Sequence, residues 1–176
     1  MAERLLLVGM MGAGKSTVGP LVADRLQVRF VDLDDEIERS LGCSIADVFA
    51  EHGEPWFRRH EAAALTEVLG GDGDAVVSLG GGAVVADGNR SALVTGGFVV
   101  WLRARVEVLA ARVGTGVQRP LLGVGDPQRR LEALYEERGP LYEEVADAVV
   151  DVDGLDPSEV ADLVVAAWRR AAGGSR

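Results

Sequence analysis

Apolar residues follow two rhythms along this chain. Short unbroken runs alternate with longer segments in which apolar positions recur every three or four residues. The runs predict strands at 4–9 (RLLLVG), 28–34 (VRFVDLD), 75–82 (AVVSLGGG, ending in a turn), 98–102 (FVVWL) and 148–152 (AVVDV). The longer rhythm predicts helices at 15–26, 34–41, 44–50, 55–69, 106–112, 127–145 and from 157 onward, with Pro55 suited to a first helical turn. Segment 114–127 (GTGVQRPLLGVGDP) has four glycines, two prolines and no period, so it is read as a mobile loop. Strands without polar alternation, separated by helices, predict an α/β fold with a parallel sheet covered on both faces. Sites in such sheets form at the carboxyl ends of the strands.

Composition narrows the functional classes. The 176 residues are expected to form a single domain over 1–176, and the net charge of −10 disfavours general binding to nucleic acid or an anionic membrane. A polyanion would need a local positive site. The apolar run before Gly9 is too short for a signal-peptide core or a membrane span, which points to a soluble cytoplasmic protein. Cys43, the sole cysteine, excludes an internal disulfide and is expected to pack as a small apolar residue. No additional interaction segment is evident, so a monomer is the default.

Only one lysine is present, Lys15, in GMMGAGKST (9–17). Gly9, Gly14, Lys15 and Ser16 satisfy G-x-x-x-x-G-K-S between a predicted strand and a predicted helix. Such a loop curls backbone N–H groups around phosphate, and the helix terminus adds partial positive charge. The compact ammonium of Lys15 suits the β- and γ-phosphates, while Ser16 offers a hydroxyl to Mg²⁺. An Asn-Lys-x-Asp guanine element cannot exist, because the single lysine is already in the loop. Small-molecule phosphoryl transfer is the reading that remains.

Three stretches supply acceptor chemistry. VDLDDE places Asp32 and Asp34 at a strand end, where alternation puts both on one face; one can serve Mg²⁺ through water and the other an acceptor hydroxyl. In GEPWFRRHE, Arg58 and Glu61 are three apart on a helix, so the glutamate can orient the guanidinium, and Trp56 is expected to border the same pocket. SLGGGA exposes bare backbone over Gly80–Gly82, which suits close approach of a ligand.

These stretches, together with RPLL (119–122) and ERGPLYEEVAD (137–147), resemble the shikimate kinase family over nearly the whole chain. The resemblance implies Mg²⁺-dependent transfer of the ATP γ-phosphate to the 3-hydroxyl of shikimate, on the way to chorismate and aromatic amino acids. It also implies a three-layer P-loop kinase fold with a five-stranded parallel sheet, a substrate-binding region at about 33–61 and a closing lid at about 113–125. By match to the family pattern, Gly12, Ala13, Gly14, Lys15, Ser16 and Thr17 hold the phosphates, and Ser16 with Asp32 serve the metal. Asp34 meets the ring hydroxyls, and Arg58, Gly80, Gly81, Gly82 and Arg138 complete the acceptor pocket. Arg119 is the lid arginine on ATP, and Arg112 helps with phosphate charge. Some members carry an arginine after the last strand, whereas DVDGLDP (151–157) has none. The alternatives are a gluconate- or nucleoside-monophosphate-kinase-like enzyme and an inactive nucleotide-binding module.

Overall fold

The computed structural model describes residues 3–113 and 126–173. Its sheet is built from β1 (Arg4–Val8), β2 (Arg29–Asp32), β3 (Ala75–Ser78), β4 (Phe98–Arg103) and β5 (Ala148–Asp151), all parallel, in the order β2-β3-β1-β4-β5. Leu6 of β1 stands in register with Val77 on one side and Val99 on the other. This central position explains the unbroken apolar run, since Leu5, Leu6 and Leu7 are buried by helices on both faces. The edge strands β2 and β5 keep exposed positions, and their sequences are correspondingly more polar.

The helices are α1 (Lys15–Leu26), α2 (Leu33–Leu41), α3 (Ile45–His52), α4 (Glu54–Gly70), α5 (Asp87–Gly96), α6 (Val106–Val113), α7 (Pro127–Val145) and α8 (Pro157–Gly173). Helices α1 and α8 pack together and touch the sheet at β3 and β5. Helices α4, α5 and α7 form a second packed group, with α5 and α7 against β4.

Three expectations are corrected. Asp34 is not a strand residue: β2 ends at Asp32, whose side chain caps α2 by accepting from the Asp34 N–H at 3.1 Å. A helix cap, rather than strand alternation, therefore brings the two carboxylates together. Cys43 is exposed, in the turn that follows Gly42, the left-handed cap residue of α2. Helix α5 and the 3₁₀ turn Ala83–Val85 were not foreseen. Their stretch is rich in glycine and polar residues, and what holds it is tertiary. Asn89 Nδ2 donates to Ala83 O at 2.9 Å, while Arg90 bonds Val84 O at 2.8 Å and Glu144 at 3.0 Å. The segment expected as a lid lies outside the described residues from Gly114 to Gly125, and Arg119 lies there with it.

Candidate active site

The loop after β1 turns through three glycines with positive φ: Gly9 at 143°, Gly12 at 83° and Gly14 at 98°. At Gly9 a Cβ would also stand 2.5 Å from the Leu102 carbonyl oxygen of β4, so no side chain fits. Gly14 is the N-cap of α1 and brings no side-chain cap, leaving the helix terminus open to an anion. Lys15 is 8% exposed, and its Nζ donates to Gly9 O at 2.6 Å and Met10 O at 3.0 Å. The loop's own carbonyls thus hold the ammonium beside the curl. Ser16 Oγ donates to Asp32 Oδ2 at 2.7 Å, joining the start of α1 to the end of β2.

Because β1 pairs with β3, the glycine loop after β3 abuts the phosphate loop. A Cβ on Gly81 would stand 3.3 Å from Met11 N. A Cβ on Gly80 would come within 2.8 Å of Asp34 Oδ1 and 3.0 Å of Glu61 Oε1. A Cβ on Gly82 would overlap the Arg58 guanidinium. Bare backbone is what lets these charged groups close in.

Arg58 is held in place by carboxylates on its own helix. Its Nη1 donates to Glu61 Oε2 at 2.7 Å and its Nη2 to Glu54 Oε1 at 2.9 Å, while the guanidinium lies 5.3 Å from the Phe57 ring centroid. Glu61 is 1% exposed, so its pairing with Arg58 is an interior contact rather than a surface ion pair. Burial pushes the Glu61 carboxyl up, and Arg58 opposes that shift. Arg138 of α7 is 2% exposed, and its Nε and Nη1 find no acceptor among the described residues. Asp34 Oδ1 is likewise buried without a partner among them, and the Asp34 carboxyl is raised to about 6, first by burial and then by Asp32. Buried groups left without partners are costly, and a bound ligand can supply the missing ones.

All of these groups share one cleft of about 930 Å³ at the carboxyl ends of the strands. Of the residues expected from sequence, Gly12, Gly14, Lys15, Ser16, Thr17, Asp32, Asp34, Arg58, Gly80, Gly81, Gly82, Arg112 and Arg138 line it. Arg112 reaches from α6 to Gly12 O and Val152 O, both at 3.4 Å. Ala13 is not at the wall; its side chain is buried and its N–H bonds Met10 O at 3.2 Å. Trp56 is not in the lining either, because its ring stacks between His52 and His60, with centroids at 4.5 and 3.6 Å. Sequence reasoning overlooked the apolar part of the wall, Phe49 and Phe57, whose centroids are 4.9 Å apart. It also overlooked the Ser44–Asp47 capping box that opens α3 beside them, a signal the S-x-x-D spacing does carry.

Oxygen donors suit a hard cation, and the Ser16 hydroxyl beside the Asp32 carboxylate fits Mg²⁺ in that respect. Among the described residues, no group of three or more His, Cys, Asp or Glu side chains could cage a metal. An ion here would complete its shell with phosphate oxygens and water. Among the described residues, no helix is long and apolar enough to cross a membrane.

A family model described as "Shikimate kinase" matches residues 11–169. The chain is 48% identical over 158 residues to a shikimate kinase of Pseudomonas entomophila (strain L48), covering 90% of this chain and 91% of that protein. It is also similar to the structure of a shikimate kinase from Acinetobacter baumannii in complex with shikimate. The TM-score is 0.92 at 35% identity, over 97% of this chain and 95% of that one. A gluconokinase from Sinorhizobium meliloti 1021 aligns with a TM-score of 0.62 at 22% identity, covering 98% and 94% of the two chains, which shows a shared fold alone.

Proposed function

The chain belongs to the shikimate kinase family, and from that premise we propose how its residues divide the work of passing the ATP γ-phosphoryl group to the 3-hydroxyl of shikimate. The observation that carries this reading is the shared cleft. The open terminus of α1 with Lys15, and polar atoms of Asp34 and Arg138 that lack partners among the described residues, together with Arg58, face one space.

In this reading the backbone of Gly12–Thr17 cradles the phosphates, and Lys15 neutralises charge on the transferring group. Ser16 and Asp32 hold Mg²⁺, which when bound adds positive charge against the phosphate oxygens. Shikimate carries one carboxylate and three hydroxyls. Arg58 and Arg138 meet the carboxylate, the backbone of Gly80–Gly82 lies against the ligand, and Asp34 takes the hydroxyls. The 3-oxygen bonds to the γ-phosphorus as the bond to the bridging oxygen of ADP breaks, and the hydroxyl proton passes to Asp34. Positioning and charge neutralisation carry most of the rate in so loose a transition state. Arg112, which reaches Gly12 O, adds charge near the phosphates in this reading. Arg119 is assigned by family pattern to a lid over ATP, within about 113–125. The reading also takes the chain as one domain, monomeric and cytoplasmic, with small-molecule partners and no role for nucleic acid or membrane.

A coupled assay of ADP release tests it. ADP should appear with ATP, Mg²⁺ and shikimate, and neither gluconate nor nucleoside monophosphates should replace shikimate. Turnover that ignores shikimate, or prefers another acceptor, would overturn the reading.

A further inference from the structure

Tyr142 lies fully buried on α7, one helical turn beyond Arg138. Its ring packs 5.6 Å from that of Trp101, and its hydroxyl donates to Gly81 O while lying 3.6 Å from Met10 Sδ. Burial holds the phenol protonated far above its ordinary range, so it remains a donor at any working pH. This one side chain touches both loops that form the cleft.

The Gly81 carbonyl belongs to a turn. Ala83 N donates to Gly80 O at 3.0 Å, and Gly82 has φ −100° and ψ 0°, the third-residue geometry of a type I turn. In such a turn the central peptide, here Gly81–Gly82, can flip to give type II, which requires positive φ at the third residue. Glycine accepts positive φ freely, so residues 81 and 82 do not themselves decide between the two forms. The choice changes what faces the ligand. In a trans peptide the C=O and N–H point opposite ways. With the carbonyl turned into the core toward Tyr142, the Gly82 N–H points away from it, on the side of the cleft that Gly82 lines. A flip would replace that donor with a carbonyl oxygen and repel an anionic acceptor.

We propose that Tyr142 is a positioning residue for acceptor recognition: its hydroxyl locks the Gly81–Gly82 peptide in the orientation that offers an N–H to the carboxylate-bearing substrate. The proposal rests on the reading that this glycine loop meets shikimate. Tyr142 touches no substrate itself; it acts through the loop, and its hydroxyl also bonds the Arg138 guanidinium beside the same pocket. The hydroxyl comes from the ERGPLYEEVAD stretch on α7, distant in sequence from the glycine loop that it holds.

The test is Y142F, which removes only the oxygen, studied beside R58K. Y142F should raise the shikimate KM about tenfold, while the ATP KM and kcat stay within about twofold. Replacing Tyr142 with 3-fluorotyrosine, which keeps the donor, should leave the shikimate KM at the parent value. The proposal is overturned if Y142F leaves the shikimate KM unchanged while R58K raises it, and in that case the acceptor assignment still stands. If neither variant moves it, the acceptor assignment falls as well. Equal rises in both KM values together with a lowered Tm would mark a merely structural residue and also overturn it. Should Y142F fail to fold, the fluorotyrosine protein decides: a raised shikimate KM there would sink the proposal.

Discussion

Within nine residues the phosphate loop closes on itself: Lys15 returns to the carbonyls of Gly9 and Met10, and three left-handed glycines make the curl. The acceptor side of the same cleft is assembled from α2, α4, the loop after β3, and α7, and it keeps buried atoms of Asp34, Glu61 and Arg138 without partners among the described residues. One half is a local backbone device, its ammonium held by the loop's own carbonyls and its helix terminus open to an anion. The other is a set of charges that tertiary packing holds in wait, and in the proposed reading its unmet hydrogen bonds set the specificity. A site of this kind rejects ligands that cannot complete it, because the unpaired groups then remain buried.

The contrast predicts that the phosphate half tolerates no change in the shape of its cation. K15R keeps the charge but exchanges a compact ammonium for a broad planar group inside the curl. Turnover should fall by about 10³-fold, nearly as far as in K15A, by analogy with losing a preorganised charge. Steady-state kinetics of both variants would show it. A near-normal K15R enzyme would mean that charge alone suffices.

On the acceptor half, D34N should separate function from stability. Loss of the proton acceptor should lower kcat about 10²-fold. In the folded protein the Asp34 carboxyl titrates at about 6 against an ordinary 3.8, so folding favours its protonated form. The ionised group therefore opposes folding at neutral pH, and that opposition fades as pH falls through 6 and is gone below about 4. D34N should accordingly be more stable than the parent at pH 7.5, on the order of 1–3 kcal/mol, with no advantage at low pH. Thermal unfolding at the two pH values checks the sign. For the parent enzyme, kcat/KM for shikimate should decline as pH falls below about 6.

R58K should cost roughly 1.5–3 kcal/mol in kcat/KM for shikimate, with ATP affinity little changed, since an ammonium cannot reproduce the guanidinium fork. Shikimate methyl ester should be a poor substrate for the parent and lose much less further activity in R58K. Strict additivity of the two changes would show that Arg58 does not meet the carboxylate.

The smallest effect is expected at Trp56, adjacent in sequence to the acceptor wall but outside it. W56F should leave the shikimate KM within about twofold and cost about 1 kcal/mol of stability from the lost His52–Trp56–His60 stack. A large KM effect would extend the pocket to the outer face of α4.

Legibility followed the same division. The phosphate loop was readable because its chemistry is consecutive: glycine spacing, a strand before and a helix after suffice to specify it. The strands were readable because burial on both faces makes the central runs apolar almost throughout, with Arg4 and Ser78 the buried polar exceptions in β1 and β3. The pairing of Arg58 with Glu61 could be read from helix spacing, but its interior character could not, since burial depends on what α4 packs against. Helix α5 was missed because its stability comes from Asn89 and Arg90 bonding to neighbouring segments, with little local propensity to announce it.

By itself, then, the order of residues determined the alternation of strands and helices and the phosphate curl. These follow from periodicity and short-range backbone chemistry. Only the tertiary structure decided that the Arg58–Glu61 pair lies in the interior, that Asp34 and Glu61 converge on Gly80, and that Tyr142 reaches Gly81 across 61 positions. Each depends on two segments meeting in space, and the free energy that brings them together is core packing, which no local pattern records.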